Sequence, residues 1–124
     1  MILDTWAWVE MFEQSRVGLQ IRSQLPSAGI YASALTLAEI VVWCERNGKN
    51  PEICLRAIKG TASILDATSQ NCEAAGTNFG MLRKIVPGIG MVDVIIYTQA
   101  TMNGFELVTG DPHFKKLPNV RFVG

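Results

Sequence analysis

Short apolar runs alternate along this chain with longer stretches that repeat at the period of a helix. The short runs are each bounded by polar or turn-forming residues, which is typical of buried strands. They predict five strands, over residues 1–3, 30–34, 62–65, 106–109 and 120–123. The longer stretches predict helices over residues 5–14, 17–25, 36–46, 51–59, 69–85 and 92–102, with a single helical turn at 111–116.

This alternation of strands and helices predicts an α/β fold. Strands joined by helices pair mostly in parallel, so we expect three α/β/α layers around a central sheet of about five short strands. The length of 124 residues favours one domain over residues 1–124.

Four acidic residues stand where the predicted strands end or where the following helices begin. Asp4 follows the first apolar run, Glu39 lies inside an apolar stretch, Asp93 opens an apolar helix and Asp111 follows the fourth strand. Helices of a parallel sheet begin at the edge where the strands end, and ligands bind there. Carboxylates in apolar surroundings are costly unless they are paired or bind a cation. Together these acids predict an oxygen-rich site for Mg²⁺ or Mn²⁺.

Each acid also has a purely structural interpretation. Asp4 and Asp111 are suitable N-caps for the segments that follow them. Thr36 and Glu39 have the spacing of a capping box. Asp93 is suited to stabilise the dipole of its own helix. Four crowded carboxylates repel one another unless a cation lies between them, so the joint pattern favours the metal site.

The amino-acid composition excludes several classes of protein but does not indicate a function. The chain is 48% hydrophobic, and its eleven basic and eleven acidic residues cancel, which gives no sign of a general polyanion binder. Cys44, Cys54 and Cys72 form no CxxC pair, so a zinc site or disulfide framework is not expected, and reduced thiols fit a cytoplasmic protein. We expect no signal peptide and no membrane span.

The order and spacing of these motifs resemble a PIN domain over nearly the whole chain. Residues 1–10 are similar to its first strand, first acid and first helix, and 37–39 to its second acid. Residues 90–100 are similar to the helix of the third acid, and 107–114 to the last acid and its turn. Residues 64–66 fall where the family often has a strand that ends in a non-catalytic acid.

The resemblance implies metal-dependent hydrolysis of RNA phosphodiester bonds. It implies Asp4, Glu39, Asp93 and Asp111 as the catalytic metal ligands for Mg²⁺ or Mn²⁺. Small members of the family are often ribonuclease toxins of VapBC toxin–antitoxin pairs, which implies a cognate antitoxin as partner.

Several neighbouring residues have two interpretations. The hydroxyls of Thr5 and Thr109 are candidate donors to the carboxylates or local caps of the backbone. His113 is a candidate general acid or phosphate contact, although a place at the rim of the site explains it as well. Four basic residues are candidate contacts to RNA phosphates or simply solvated: Arg83, Lys84, Lys115 and Lys116.

The glycines before the Asp93 helix are spaced like the start of a dinucleotide-binding loop, but the rest of that motif is missing. In residues 88–93 Asp93 replaces the third glycine, and no strand precedes the loop. We expect the loop only to let the chain turn before the helix.

The first helix is apolar nearly all round. Trp6, Trp8, Met11 and Phe12 exceed the single stripe that a helix on a sheet needs. The excess predicts a homodimer interface or a groove for a partner peptide, although a helix fully enclosed within the domain explains it too.

Two other functions compete with the nuclease. One is a phosphoacceptor receiver domain, for which Asp66 at the end of a middle strand would be the acceptor. Receiver domains typically have paired acids after the first strand and a lysine after the last strand. Here Asp4 is a single acid, and no lysine follows residues 120–123. The other is a catalytically silent PIN module that only binds protein or RNA.

Overall fold

Five short strands, all paired in parallel, form the centre of the molecule. The structure is a computed structural model and describes residues 1–124. The strands are β1 Ile2–Leu3, β2 Tyr31–Ser33, β3 Ser63–Leu65, β4 Leu107–Thr109 and β5 Val120–Phe122. They lie in the order β3-β2-β1-β4-β5. The predicted α/β class and the mostly parallel sheet are confirmed.

Six helices connect the strands. They are α1 Thr5–Glu13, α2 Arg16–Ser23, α3 Ala34–Asn47, α4 Pro51–Thr61, α5 Ser69–Ile85 and α6 Met91–Met102. A short 3-10 helix, Pro112–Phe114, stands in place of the predicted turn at 111–116. No helix is both long and apolar enough to cross a membrane.

The strands divide their side chains between two cores. Leu3 and Val108 pack with the side chains of α1 to α4 on one face of the sheet. Ile2 and Leu107 pack with those of α5 and α6 on the other. Successive residues of a strand point to opposite faces, so two adjacent apolar residues serve both cores. This arrangement is why β1 is wholly apolar and why Leu107 and Val108 of β4 are both apolar.

The start of α3 differs from the prediction. The cap of α3 is Ser33, whose hydroxyl accepts from the Leu35 amide at 3.1 Å, so the capping box predicted at Thr36 and Glu39 is wrong. Thr36 is instead a fully buried residue in the first turn of α3. The cap of α5 is Thr68, which forms a capping box with Asn71.

The strand order reverses at β1, which pairs with β2 on one side and β4 on the other. The crevice beyond the carboxyl ends of two such strands is the usual binding place in an open α/β sheet. Asp4 follows β1 and Asp111 lies two residues after β4, so both stand at this crevice. Asp66 follows β3 at the edge of the sheet, which is not the middle strand that a receiver domain requires.

Candidate functional site

Asp4 is the most deeply buried of the four acids. It is 5% exposed and caps α1, with Oδ1 accepting from the Ala7 amide at 2.9 Å. Its other oxygen, Oδ2, accepts a short hydrogen bond from the Thr109 hydroxyl. Burial, with smaller contributions from the charges of Asp111 and Asp93, raises the pKa of Asp4 to about 7, and the two hydrogen bonds only partly oppose this rise. The predicted cap is confirmed, and it places a carboxylate in a costly environment.

Asp111 lies beside Asp4 because Thr109 joins them. The Thr109 hydroxyl accepts from the Asp111 amide at 3.0 Å while it donates to Asp4. Asp111 caps the 3-10 helix: its Oδ1 accepts from the His113 amide at 2.9 Å and lies 2.8 Å from His113 Nδ1. One carboxylate oxygen of Asp111 is thus engaged with His113, and the other has no hydrogen bond.

Glu39 is held by a hydroxyl from the first helix. The Thr5 hydroxyl donates to Glu39 Oε1 at 2.5 Å and lies 3.0 Å from the hydroxyl oxygen of Thr36. Thr36 and Glu39 are three residues apart, which puts them on the same side of α3. Thr36 belongs to this hydrogen-bond network, whereas the sequence predicted only a capping role for it.

Asp93 lies in the first turn of α6, as predicted. Burial raises the pKa of its carboxyl, and the charges of Asp111 and Glu39 raise it further. A backbone hydrogen bond from Gly90 and the His113 ring oppose this rise. Asp93 therefore stands within electrostatic reach of acids from two other segments of the chain.

The structure brings all four acids into one neighbourhood, where His113 beside Asp111 is the one basic side chain paired with any of them. Its ion pairs are Arg56–Glu52, His113–Asp111 and Arg121–Glu106, so Asp4, Glu39 and Asp93 have no lysine or arginine partner. An oxygen-only donor set of uncompensated carboxylates suits a hard divalent ion. No three His, Cys, Asp or Glu side chains are spaced to hold an ion as they stand. The carboxylates would therefore have to move closer together around a cation.

The candidate hydroxyl donors contact the acids, and the candidate basic residues lie outside the carboxylate cluster. Thr5 and Thr109 both donate to acids of the cluster, which fits the first of their two interpretations. Arg83 Nε donates to the Ile89 carbonyl at 3.2 Å, and its guanidinium lies 5.2 Å from the centre of the Phe79 ring. Lys115 Nζ lies 5.3 Å from the centre of the Phe122 ring. Lys84 and Lys116 are exposed and form no ion pair.

An apolar groove lies on the face of the sheet that α1 covers. Trp8 and Met11 are 3% exposed and belong to the core, and Phe12 stacks between Trp8 and Trp43. Much of the excess apolar surface of α1 is therefore used inside the molecule. A groove of about 300 Å³ nevertheless remains there, lined by Trp8, Met11, Phe12, Arg22, Leu25, Ala57 and Thr61. The buried Trp8 Nε1 has no hydrogen-bond acceptor.

Known proteins resemble this chain both in sequence pattern and in fold. The sequence model of the PIN domain family matches residues 1–120. No curated protein sequence matches the chain.

Three solved structures illustrate the likeness. A toxin–antitoxin complex from Klebsiella pneumoniae is 22% identical, with a TM-score of 0.77 over 97% of this chain and 94% of that one. VapBC2 from Rickettsia felis, bound to a promoter DNA fragment, is 21% identical, with a TM-score of 0.78 over all of both chains. VapC20 of Mycobacterium tuberculosis, a sarcin-ricin loop cleaving toxin, is 16% identical, with a TM-score of 0.67 over 85% and 84%. At these identities the likeness establishes a shared fold.

Proposed function

Because the chain belongs to the PIN domain family, we propose that it is a metal-dependent endoribonuclease that hydrolyses RNA phosphodiester bonds. The observation that carries the proposal is the set of four acids at the switch point of the sheet. Asp4 is buried and Asp93 is half-buried, and this loss of solvation, together with the charges of the neighbouring acids, raises the pKa values of both. A fold does not place unbalanced carboxylates together for stability, so the arrangement favours binding of a cation.

PIN nucleases generally use divalent metal ions, and we propose Mg²⁺ or Mn²⁺ here. Asp4, Glu39, Asp93 and Asp111 would hold the ion or ions. A bound ion of this kind activates water and stabilises negative charge on the leaving oxygen.

The surrounding residues prepare the carboxylates for that task. Thr109 fixes one oxygen of Asp4 and, through the Asp111 amide, sets the distance between two acids. Thr5 fixes one oxygen of Glu39. With a pKa of about 7, Asp4 carries a proton in part of the molecules at neutral pH. Cation binding would displace this proton, so metal affinity should rise with pH.

We further propose that the chain is the toxin of a VapBC-type pair. The fold shared with several toxin–antitoxin complexes supports this role. The groove beside α1 supports an antitoxin segment as its occupant, since an apolar peptide face laid in such a groove is a common recognition mode. The free thiols of Cys44, Cys54 and Cys72 support a cytoplasmic location.

The carboxylate cluster suggests how an antitoxin would inhibit. A lysine or arginine extended toward Asp4 or Asp93 would supply the positive charge that these acids lack. Replacing each basic residue of the antitoxin by alanine tests this. Relief of inhibition by one such variant supports charge replacement, and unchanged inhibition by all of them leaves only steric blocking.

A homodimer completes the proposal. The first helix uses most of its apolar side chains inside the molecule, and other apolar side chains are exposed on α5. Met81 and Ile85 of α5 are 58% and 47% exposed. They border a depression of about 260 Å³ that Tyr97 and Leu117 also line. Exposed apolar side chains gathered around a depression support a two-fold contact at this face.

A catalytically silent PIN module remains the competing function. The two are separated by incubating purified protein with single-stranded RNA in Mg²⁺, in Mn²⁺ and in EDTA. We expect cleavage with the divalent ions and none with EDTA. Intact RNA under all three conditions would favour the silent module.

A further inference from the structure

A small cleft opens beside the carboxylate cluster, between the loop that leads into α6 and the 3-10 helix. Its volume is about 230 Å³. Its lining is mainly apolar, with one imidazole and one ammonium group: Ile85, Val86, Pro87, Pro112, His113 and Lys116.

The cleft is continuous with the candidate active site through His113. His113 Nδ1 lies 2.8 Å from Asp111 Oδ1, so the ring is fixed to one of the four acids. On its other side the ring faces the loop, since a Cβ on Gly88 would lie 3.7 Å from His113 Nε2. A ligand in the cleft would therefore lie next to any group held at the carboxylates.

The walls of the cleft are held in place before a ligand arrives. Arg83 Nε donates to the Ile89 carbonyl at 3.2 Å, which ties the end of α5 to the loop. The neighbouring Phe114 and Ile89 are buried in the core and anchor the 3-10 helix and the loop. Preformed walls reduce the entropy cost of binding.

We propose that this cleft is a subsite for one unpaired base of the RNA, next to the bond that is cut, with the base stacked on His113 and a neighbouring phosphate on Lys116. The inference rests on the proposed ribonuclease function. Single-stranded RNA is recognised by stacking its bases on flat side chains, histidine among them. Lys116 has no ion pair in the structure and is free to meet a phosphate. The cleft is below the roughly 300–1,000 Å³ of drug-sized ligand sites, which suits a single base.

The cleft and the groove beside α1 differ in the chemical character of their lining side chains. That groove is larger, lies on the opposite face of the sheet and is lined mainly by apolar side chains, which suits the apolar face of a peptide. The cleft by contrast combines an exposed ring, a free ammonium group and direct contact with an acid of the cluster. A polyanion with flat bases satisfies all three.

The test is binding of a short single-stranded RNA that carries 2-aminopurine, measured in EDTA so that no strand is cut. The fluorescent base is moved along the strand, and its quenching reports stacking. We expect the wild-type protein to bind and to quench at one or two positions. His113→Ala should remove the quenching and weaken binding by about tenfold. His113→Phe keeps a flat ring without the bond to Asp111, and it should retain the quenching.

Two further variants test the phosphate contact. Lys116→Ala should lower the slope of log affinity against log salt by about 0.7, the expected effect of one phosphate contact on a single strand. Lys59→Ala is the control, because α4 ends just before β3 begins and Lys59 therefore lies at the opposite edge of the sheet. It should bind like the wild type.

The outcomes separate the two proposals. Wild-type binding with unchanged quenching, affinity and salt slope in His113→Ala and Lys116→Ala would overturn the subsite and leave the ribonuclease intact. Equal loss in Lys59→Ala would also overturn it, because binding would then depend on general charge. Absence of any RNA binding by the wild type would count against the ribonuclease itself, and the subsite with it.

Discussion

Asp4 holds a buried carboxylate with two hydrogen bonds and no cationic partner. The bonds from Ala7 and Thr109 lower its pKa, yet burial and the charges of Asp93 and Asp111 outweigh them. An asparagine would cap α1 without this electrostatic cost. The residue at this position therefore costs stability in the absence of a cation, which is a frequent property of functional sites.

The raised pKa of Asp4 predicts how stability depends on pH without metal. Its pKa is about 7 in the folded chain against 3.8 as the ordinary value, so the folded state binds the proton more tightly. Stability should therefore fall as the pH rises from about 4 to about 7 and level off above that range. Asp93 shifts in the same direction and adds to the effect. Asp4→Asn should flatten the dependence and raise the melting temperature at pH 8.

Thermal melts in EDTA across this pH range check the prediction. Asp66→Asn is the matched control, since Asp66 also follows a strand but is exposed. It should keep the wild-type pH profile. An Asp4→Asn profile as steep as that of the wild type would show that Asp4 is not the titrating group.

At the scale of single residues, the sequence identified the four acids more readily than the hydroxyl groups that hydrogen-bond to them. Asp4, Asp93 and Asp111 stand at strand ends or helix starts, which are local patterns. The role of Thr36 depends on Thr5, which is 31 residues away in the chain. A hydroxyl that bonds across two helices leaves no local pattern, so Thr36 was assigned to a cap. The metal-binding role of the four acids stays a prediction.

The turn between β4 and the 3-10 helix depends on Gly110. A Cβ at this position would lie 2.2 Å from Trp6 Cη2 and 2.4 Å from the Val123 carbonyl oxygen. The Trp6 ring thus packs over the backbone that leads to Asp111. Part of the apolar surplus of α1 serves to hold this turn against the sheet.

Gly110→Ala should therefore destabilise the protein by about 1–3 kcal/mol, the usual cost of overpacking. Gly76→Ala is the control: it lies in α5 with nothing within 4 Å of an added Cβ. In a helix interior that change should stabilise by up to about 1 kcal/mol. Chemical denaturation measures both. Equal effects of the two substitutions would contradict the packing of Trp6 on Gly110.

Elements were predicted well where their signals are local. All five strands and all six helices occur within a few residues of their predicted bounds. The cap of α3 was misplaced because Ser33 and Thr36 both stand near the start of the helix, and backbone geometry decides which one caps. The order β3-β2-β1-β4-β5 had no local signal, since it depends on which helices cover which face.

The whole molecule has two apolar surfaces left over, with different proposed occupants. The groove beside α1 is proposed for the antitoxin, and the face with Met81 and Ile85 for a second copy. We expect the purified chain to be a dimer in sedimentation across concentration. Met81→Glu should shift it to the monomer, because a charge would have to be buried at the contact. A wild-type monomer at all accessible concentrations would refute the dimer.

Divalent metal should stabilise the folded chain. A ligand that binds only the folded state, at a hundred times its dissociation constant, adds about 2.7 kcal/mol. The melting temperature should rise with Mn²⁺ or Mg²⁺ relative to EDTA, and less at low pH because protons compete for the carboxylates. The same melts on Asp93→Asn should show little shift. An equal rise in that variant would place the ion elsewhere.

The most direct test of the carboxylate site is RNA cleavage by two matched variants. Asp93→Asn removes an acid of the cluster, and Asp66→Asn removes an exposed acid after β3. Both purified proteins should fold, with circular dichroism spectra like that of the wild type. With Mg²⁺ or Mn²⁺ present, Asp93→Asn should cleave RNA on the order of 10²-fold more slowly or worse, and Asp66→Asn at the wild-type rate. Cleavage by Asp93→Asn at the wild-type rate would contradict the assignment of the active site.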